Sequence, residues 1–180
     1  MAMIQPFPAV WLLSDARNDA ALERALKRLP RGSGFVFRHY HLPEPERLAR
    51  FRQLQRIARA RGHVVVLADS ALTAREWGAD GVYGAPLALW PRRGDLLQLA
   101  TAHSLRELAQ AARKGADAVL LSPAFATRTH PGAPFLGAVR LRMLAARSPV
   151  PVIALGGMNA QTARRLDWPH WAAIDGLSSH

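Results

Sequence analysis

The chain has 180 residues, of which 49% are apolar, and its 24 Lys and Arg against 13 Asp and Glu give a formal net charge of +11. It contains no cysteine, which excludes a disulfide framework, a thiolate zinc site and a cysteine nucleophile. No apolar run approaches the ~20 residues of a membrane span, and the first residues lack the basic leader and cleavage site of a signal peptide. We therefore expect one soluble, cytoplasmic globular domain over residues 1–180, without membrane contact.

The positive charge is carried almost entirely by arginines, since only Lys27 and Lys114 are lysines. The arginines of the helix candidate Pro43–Arg61 face several directions at ~100° per residue, so they form no contiguous stripe for a nucleic-acid backbone. We therefore expect no nucleic-acid partner. The alternative use of such a charge is to gather small anionic ligands, phosphates included.

Eight short apolar runs alternate with longer segments of helical periodicity. In chain order the runs are Val10–Ser14, Gly34–Phe37, Val64–Ala68, Val82–Tyr83, Leu97–Ala102, Ala118–Leu121, Val150–Leu155 and Ala172–Leu177. The helical segments are Asn18–Leu29, Pro43–Arg61, Leu72–Trp77, Ser104–Lys114, Leu136–Arg147 and Asn159–Leu166. Continuous apolar runs are typical of strands covered on both faces, and strands that alternate with helices predict a parallel sheet.

Eight such units predict a compact (β/α)8 TIM barrel of the α/β class. The fourth unit is short, because Ala85–Leu96 holds Pro86, Pro91 and an Arg-Arg-Gly turn in place of a long helix. We also expect no eighth helix after Ser179. Because the fold usually needs ~250 residues, a seven-unit open sheet is the alternative. A weak repeat supports the barrel: Gly78-Ala-Asp-Gly-Val82 recurs as Gly115-Ala-Asp-Ala-Val119, each time between a helix and a strand.

Polar residues follow the predicted strands at the ends where a barrel of this kind has its active site. Arg38 follows the second strand, Asp69 the third, and Thr101 lies at the end of the fifth. Asp69 is the kind of carboxylate that holds Mg²⁺ together with substrate phosphates, or else a cap for the helix that begins near Leu72. Asp15, after the first strand, has the same two interpretations.

A glycine turn, Gly156-Gly157, follows the seventh strand and leads into a helix. Barrels commonly bind phosphate in the loops after strands seven and eight, where glycines let the anion approach backbone N–H groups. Ser178 and Ser179 then stand in the position of the second loop. The alternative is a bare turn without a ligand.

The loop after the sixth strand is polar and basic. It contains Thr127, Thr129 and His130 around an arginine, and such side chains hold a diphosphate or a ring substituent. His130 is a candidate general acid or base, with an exposed loop histidine as the alternative.

Taken together, these residues resemble the thiamine phosphate synthase/TenI family of (β/α)8 barrels. The motifs that carry the resemblance are Leu12-Leu-Ser-Asp15, Arg38, Asp69-Ser-Ala-Leu, Thr101-Ala-His103-Ser, Ser122-Pro-Ala-Phe-Ala-Thr-Arg-Thr and Pro151-Val-Ile-Ala-Leu-Gly-Gly157. They run in order through nearly the whole chain. The resemblance implies a transferase that joins hydroxymethylpyrimidine diphosphate to thiazole phosphate and releases pyrophosphate.

The resemblance also implies roles for the candidate residues. Arg38, Thr127 and Thr129 would bind pyrophosphate or the pyrimidine, and Asp69 would hold Mg²⁺. Gly156, Gly157 and Ser178 would bind the thiazole phosphate. Arg38, Thr101 and His130 are the candidate catalytic residues, and Ser179 is a further candidate contact to the phosphate.

Several positions depart from the family pattern, and all lie on the side of the diphosphate and the metal. Ala68 replaces the asparagine before the metal aspartate, Tyr40 and His130 replace lysines, and the segment after Gly84 lacks the second metal carboxylate. Two alternatives therefore stand beside the synthase. One is a metal-free thiazole tautomerase of the TenI type, although Pro123 occupies the position of that enzyme's histidine. The other is a non-catalytic barrel that binds a phosphorylated ligand.

Overall fold

A computed structural model describes residues 6–128 and 130–177 as a closed barrel of eight parallel strands in sequential order. The strands are β1 (Val10–Leu13), β2 (Gly34–Phe37), β3 (Val64–Leu67), β4 (Gly81–Gly84), β5 (Leu97–Ala102), β6 (Ala118–Leu121), β7 (Val152–Leu155) and β8 (Trp171–Ala173). The helices are α1 (Leu22–Arg28), α2 (Glu46–Ala60), α3 (Ala71–Trp77), α4 (Leu105–Arg113), α5 (Gly137–Ala145) and α6 (Ala160–Leu166). β1 pairs with both β2 and β8, which confirms the predicted TIM barrel and excludes the open sheet.

Two apolar layers form the core. Inside the barrel, Trp11, Leu99 and Ile153 belong to a cluster of fully buried side chains that point inward. Between the strands and the helices, Phe35, Phe51 and other side chains form the larger, outer cluster. The strands are therefore covered on both faces, which explains why their sequences read as continuous apolar runs.

The fourth unit has no helix, as its prolines predict. Residues 85–96 form turns between β4 and β5, and Pro86, Leu89 and Leu96 are buried there. Ion pairs tie this segment to the neighbouring units, from Arg75 to Asp95 and from Arg92 to Asp117, each with a shortest N–O distance of 2.6 Å. Apolar anchors and ion pairs thus replace the helix.

The Gly-Ala-Asp repeat serves the same structural purpose twice. Gly78 and Gly115 have positive φ angles of 73° and 81° in the turns that end α3 and α4, a conformation that glycine adopts without penalty. The carboxylates of Asp80 and Asp117 then accept hydrogen bonds from backbone N–H groups of β3 and β5, respectively. Each aspartate therefore joins the preceding strand to the one that it introduces.

The first helix begins later than the sequence predicts, at Leu22 after a 3₁₀ turn at Asp19–Ala21. The side-chain amide of Asn18 instead donates to the carbonyls of Leu13 and Ile174, each at 2.9 Å, and so links the end of β1 to the segment that follows β8. None of the helices in the described part of the chain combines the length and the apolar character of a membrane span.

Gly34 makes room for Trp11 inside the barrel, and we expect Gly34→Ala to be strongly destabilising. A Cβ at position 34 would lie 2.0 Å from the Trp11 ring, which is fully buried and hydrogen-bonded through Nε1 to the carbonyl of Pro8. Overpacking of this kind costs about 1 to 3 kcal/mol of unfolding free energy or more. Urea denaturation would measure the loss. Gly94→Ala is the matched control, because nothing lies within 4 Å of its Cβ. Equal stability of the two variants would contradict the prediction.

Candidate functional site

A cavity of about 770 Å³ opens at the carboxyl ends of the strands. This volume lies within the range of small-molecule sites in proteins. The polar and glycine residues that line it are Arg38, Tyr83, Thr101, His103, Ser122, Thr127, Arg128, His130, Gly156, Gly157, Asn159, Asp175 and Gly176. They come from the ends of β2 and β4 through β8, because all parallel strands of a barrel end at the same mouth.

Arg38 is held in place at both its backbone and its side chain. Its Nε donates to the carbonyl of Ser14 at 2.8 Å, and its Nη2 lies 3.3 Å from a carboxylate oxygen of Asp15. Its backbone N–H donates to the Ser14 hydroxyl at 2.8 Å. The guanidinium is thus oriented by the protein itself, and it lines the cavity.

A buried polar network supports Arg38 from behind. The His39 ring lies 2.8 Å from the Ser14 hydroxyl through Nδ1 and 2.7 Å from Asp19 through Nε2. Burial lowers the pKa of His39, although Asp19 opposes the shift. Ser14 and His39 are almost fully buried, so this serine–histidine–aspartate set lies outside the cavity wall and acts as a structural support. These contacts explain why the segment after β1 contains Ser14 and Asp19.

Tyr83 and Thr101 bring hydroxyl groups from β4 and β5 to the cavity. Burial raises the pKa of the Tyr83 phenol, and the charge of Arg38 nearby only partly offsets that effect. The phenol therefore stays protonated at neutral pH and is a hydrogen-bond donor. The sequence predicted Thr101 at this site but missed Tyr83, which lies within a strand and is revealed only by its inward orientation.

His103 lies beside the segment that follows β6. Its Nδ1 is 2.9 Å from the carbonyl of Ser122. Because a carbonyl only accepts hydrogen bonds, the proton of the neutral ring is on Nδ1, and Nε2 is left as the basic nitrogen. His103 belongs to the motif Thr101-Ala-His103-Ser, in which Thr101 was predicted to be the catalytic residue.

The loop after β6 supplies Thr127, Arg128 and His130 to the same cavity. The Thr127 hydroxyl accepts a hydrogen bond from the His130 backbone N–H at 3.1 Å, which bends the loop at this point. Thr129, the other predicted threonine, lies outside the described residues. The structure therefore brings two predicted residues of this loop to the cavity and adds Arg128 between them.

The glycine turn after β7 lies against this loop. Gly156 and Gly157 have positive φ angles of 103° and 61°. A Cβ on Gly157 would lie 2.4 Å from the carbonyl oxygen of Ala126, and one on Gly156 would lie 2.8 Å from Pro123. The two glycines are therefore required by the contact between the loops after β6 and β7. This structural reason adds to the one predicted from the sequence, which is the approach of a phosphate to the backbone.

The backbone N–H groups of this turn differ from those at the start of α6. In α6, the N–H groups of Gln161 and Thr162 are already bonded to the Asn159 side chain, at 2.9 Å each. The N–H groups of Gly156 and Gly157 have no acceptor within residues 6–128 and 130–177. The glycine N–H groups are therefore available to an anion at this turn, whereas those of Gln161 and Thr162 are not.

The segment after β8 completes this side of the cavity with Asp175 and Gly176. Asp175 forms an ion pair with Arg17, whose Nη1 lies 3.4 Å from its carboxylate. Ser178 and Ser179, the predicted phosphate contacts, lie outside the described residues. A carboxylate in this part of the cavity wall was not predicted, because the eighth apolar run was expected to reach Leu177 and β8 ends at Ala173.

Asp69 does not line the cavity. One of its carboxylate oxygens accepts from Arg47 at 2.5 Å and the other from the backbone N–H of Ser70 at 2.7 Å. Burial raises the pKa of the Asp69 carboxyl, but these hydrogen bonds outweigh it and hold the pKa below its ordinary value of 3.8. Among the described residues, no group of three or more His, Asp or Glu side chains is placed to hold a metal ion. These surroundings do not fit the hydrated oxygen shell that Mg²⁺ takes.

We expect Gly157→Ala to destabilise the protein more than Gly132→Ala. Both glycines have positive φ, so both variants carry the ~1 to 2 kcal/mol penalty of an L-residue in the left-handed region. Only at Gly157 does the added Cβ also meet a backbone oxygen, because nothing lies within 4 Å of the Cβ at Gly132. The difference in unfolding free energy, measured with urea, reports the contact between the loops after β6 and β7. Equal losses would contradict this contact.

Comparison with known proteins identifies the family. Residues 11–167 match the family described as thiamine monophosphate synthase. The chain is 32% identical over 133 residues to a thiamine-phosphate synthase of Chloroflexus aurantiacus, a match that covers 71% of this chain and 62% of that protein. It is 29% identical over 174 residues to the thiamine-phosphate synthase of Methylococcus capsulatus, covering 90% of this chain and 78% of that one.

Solved structures confirm the fold. The thiamine phosphate pyrophosphorylase of Pyrococcus furiosus superposes with a TM-score of 0.79 at 23% identity, over 95% of this chain and 88% of the other. An Escherichia coli aldolase with the same barrel superposes with a TM-score of 0.66 at 11% identity, over 93% of this chain and 75% of that one, so the fold by itself does not specify a reaction. The match over residues 11–167 does specify a family: this chain belongs to the thiamine monophosphate synthase family.

Proposed function

We propose that this protein is a transferase that joins hydroxymethylpyrimidine diphosphate to thiazole phosphate and releases pyrophosphate. The proposal rests on the family match and on relatives named thiamine-phosphate synthase. The match to the Chloroflexus protein spans less than two thirds of that protein's length, so the activity is inferred here from the site as well as from the family. A cytoplasmic location, with small phosphorylated substrates and no nucleic-acid partner, is part of the same proposal.

One observation carries the proposal: a single cavity contains both kinds of anion-binding group that the reaction needs. Arg38 and Arg128 supply cationic side chains and His130 an imidazole, and Gly156 and Gly157 supply backbone N–H groups that have no acceptor among the residues that the structure describes. A reaction between a diphosphate and a phosphate must hold two separate anions at once. A simple apolar pocket would lack both groups.

In the proposed reaction, the bond between the pyrimidine methylene carbon and the diphosphate oxygen breaks, and its electron pair leaves with pyrophosphate. The thiazole nitrogen then donates its lone pair to the carbocation and forms the new C–N bond. The task of the protein is electrostatic, because negative charge grows on the departing oxygen. Arg38 is oriented for this task by Ser14 and Asp15, and Thr127 and Arg128 line the same cavity.

The Mg²⁺ that the resemblance implies finds no matching ligand set at Asp69, because both carboxylate oxygens are already hydrogen-bonded within the protein. The proposal therefore assigns the neutralisation of pyrophosphate to the protein's own cations. The alternative prediction, that Asp69 caps α3, is wrong, because Ser70 is the N-cap and its hydroxyl accepts from the Thr73 N–H. Asp69 instead pairs with Arg47 and accepts from the backbone N–H of Ser70.

The direct test supplies both substrates and follows thiamine phosphate and pyrophosphate by chromatography. We expect turnover by the wild type, and a loss of at least about tenfold in Arg38→Met, since a hydrogen bond to a charged group is typically worth that much. Arg24→Met, an exposed arginine of α1 that does not line the cavity, is the control. Absence of product would contradict the synthase. Binding of thiazole phosphate without turnover would favour the non-catalytic alternative.

The second candidate function is a metal-free thiazole tautomerase, and His103 is the observation that favours it. Its Nδ1 contacts the carbonyl of Ser122, next to Pro123 where the tautomerases carry their histidine. The ring thus reaches the same region of the cavity from β5 instead of β6. Tautomerisation needs a base that removes a proton from one carbon and a proton that returns at another, and Nε2 of His103 is a candidate for that base.

Isomerisation of a thiazole carboxylate phosphate in EDTA, followed by NMR, separates the two functions. A tautomerase would lose at least about a hundredfold in rate in His103→Asn, which keeps a donor for the Ser122 carbonyl but has no basic nitrogen. His41→Asn, an exposed histidine outside the cavity lining, is the control. Isomerisation that survives His103→Asn would exclude His103 as the base, and absence of isomerisation would exclude the second function.

A further inference from the structure

The first turn of α2 sends one arginine side chain into the space between the ends of β2 and β3. Arg47 is 7% exposed. Its Nη1 donates to Asp69 at 2.5 Å, and its Nη2 donates to the carbonyls of Arg38 at 2.9 Å and Ala68 at 3.0 Å. Its Nε contacts the Arg38 carbonyl as well, at 3.2 Å. A single guanidinium therefore bridges three oxygens that come from two strands.

These oxygens are the acceptors that a hard cation would use at this position. Carboxylate and carbonyl oxygens are typical ligands of Mg²⁺. The ion binds six oxygens in an octahedron, at metal–oxygen distances of about 2.0–2.1 Å, and several of these oxygens belong to water. Here the Arg47 guanidinium donates to one carboxylate oxygen of Asp69 and to the carbonyls of Arg38 and Ala68. The backbone N–H of Ser70 donates to the second carboxylate oxygen of Asp69. A divalent ion would have to displace a positive charge that is already paired.

The surroundings of Arg47 suit a guanidinium better than a hydrated ion. Its Cζ lies 5.8 Å from the Phe37 ring centroid, 6.0 Å from that of Tyr40 and 5.4 Å from that of Trp77. Aromatic faces attract the planar, weakly hydrated guanidinium and offer no ligand to a metal.

Arg47 is linked to the cavity through Arg38. Arg38 is held at its amide by Ser14 and at its carbonyl by Arg47, and its guanidinium lines the cavity. Loss of Arg47 would free the carbonyl end of this residue and leave Asp69 with an unpaired, partly buried charge. Arg47 itself does not line the cavity, so any effect on a ligand would pass through Arg38.

We infer that Arg47 is a built-in cation that takes the place of a metal ion beside Asp69 and positions Arg38, so that the cavity binds its anionic ligand without Mg²⁺. The inference deepens the proposed function, on which it rests for the identity of the ligand. Whether Asp69 pairs with Arg47 or binds a metal ion does not depend on that function and is tested separately.

The first test uses Mn²⁺ as a paramagnetic substitute for Mg²⁺ and counts bound ions by EPR, without substrate. We expect the wild type and Asp69→Asn to give the same titration, because Asp69 is not available to a metal. In Arg47→Met, the carboxylate and the two carbonyls are freed, and we expect a new Mn²⁺ site that the double variant with Asp69→Asn loses. A wild-type site that disappears in Asp69→Asn overturns the inference, whatever the stability of Arg47→Met.

The second test measures the affinity for inorganic pyrophosphate by calorimetry in EDTA. We expect binding by the wild type, a loss of at least about tenfold in Arg47→Met, and no change in Arg52→Met, an exposed arginine of the same helix. A folded Arg47→Met protein with wild-type affinity overturns the positioning role, and so does a wild-type affinity that appears only with Mg²⁺. If pyrophosphate binds under no condition, the result contradicts the proposed function instead. The Mn²⁺ titration then still decides whether Asp69 binds a metal ion.

Discussion

The hydrogen bonds between β1 and β8 close the barrel, and the candidate site depends on that closure. Val10, Trp11 and Leu12 pair with Trp171, Ala172 and Ala173 in parallel register. Closure brings the carboxyl ends of all eight strands around one mouth, so that residues as distant in sequence as Arg38 and Gly176 line one cavity. Asn18 reinforces this closure, because its side-chain amide donates to the carbonyls of Leu13, at the end of β1, and Ile174, just after β8. An open sheet would have placed β1 and β8 at opposite edges.

Arginine dominates the electrostatics of the mouth, and each arginine has a distinct role. Arg38 is oriented by Asp15 and contributes to the cavity, whereas Arg47 is almost buried and neutralises Asp69. Arg50 stays outside the cavity and pairs with Asp19 and Glu23, which links α2 to the first unit. The high net charge of the chain therefore does not describe a uniform basic surface, since many of the arginines serve as fixed donors to carboxylates and carbonyls.

Close packing of loops determines the shape of the cavity. The turn Gly156-Gly157 touches the loop after β6 so closely that a methyl group on either glycine would meet backbone or proline atoms. Gly176 shows the same constraint, because its Cβ would lie 2.0 Å from the carbonyl of Met158. The glycines thus allow three loops to approach one another, and this packing forms one side of the cavity wall.

By itself, the sequence determined the fold class, the order of the strands and the family, because continuous apolar runs, punctuating glycines and local motifs are properties of short segments. It also identified Arg38, Thr101, Thr127, His130 and the glycine turn as residues of one site, since a parallel barrel places every strand end at the same mouth. Only the tertiary structure decided the partner of Asp69. A carboxylate at a strand end can hold a metal ion or pair with a side-chain cation. Here its cation is Arg47, which reaches Asp69 only because α2 packs against the ends of β2 and β3. Tyr83 and His103 were missed for the same reason: the direction of a side chain at a strand end depends on the register of the closed barrel, which is a property of all eight strands together.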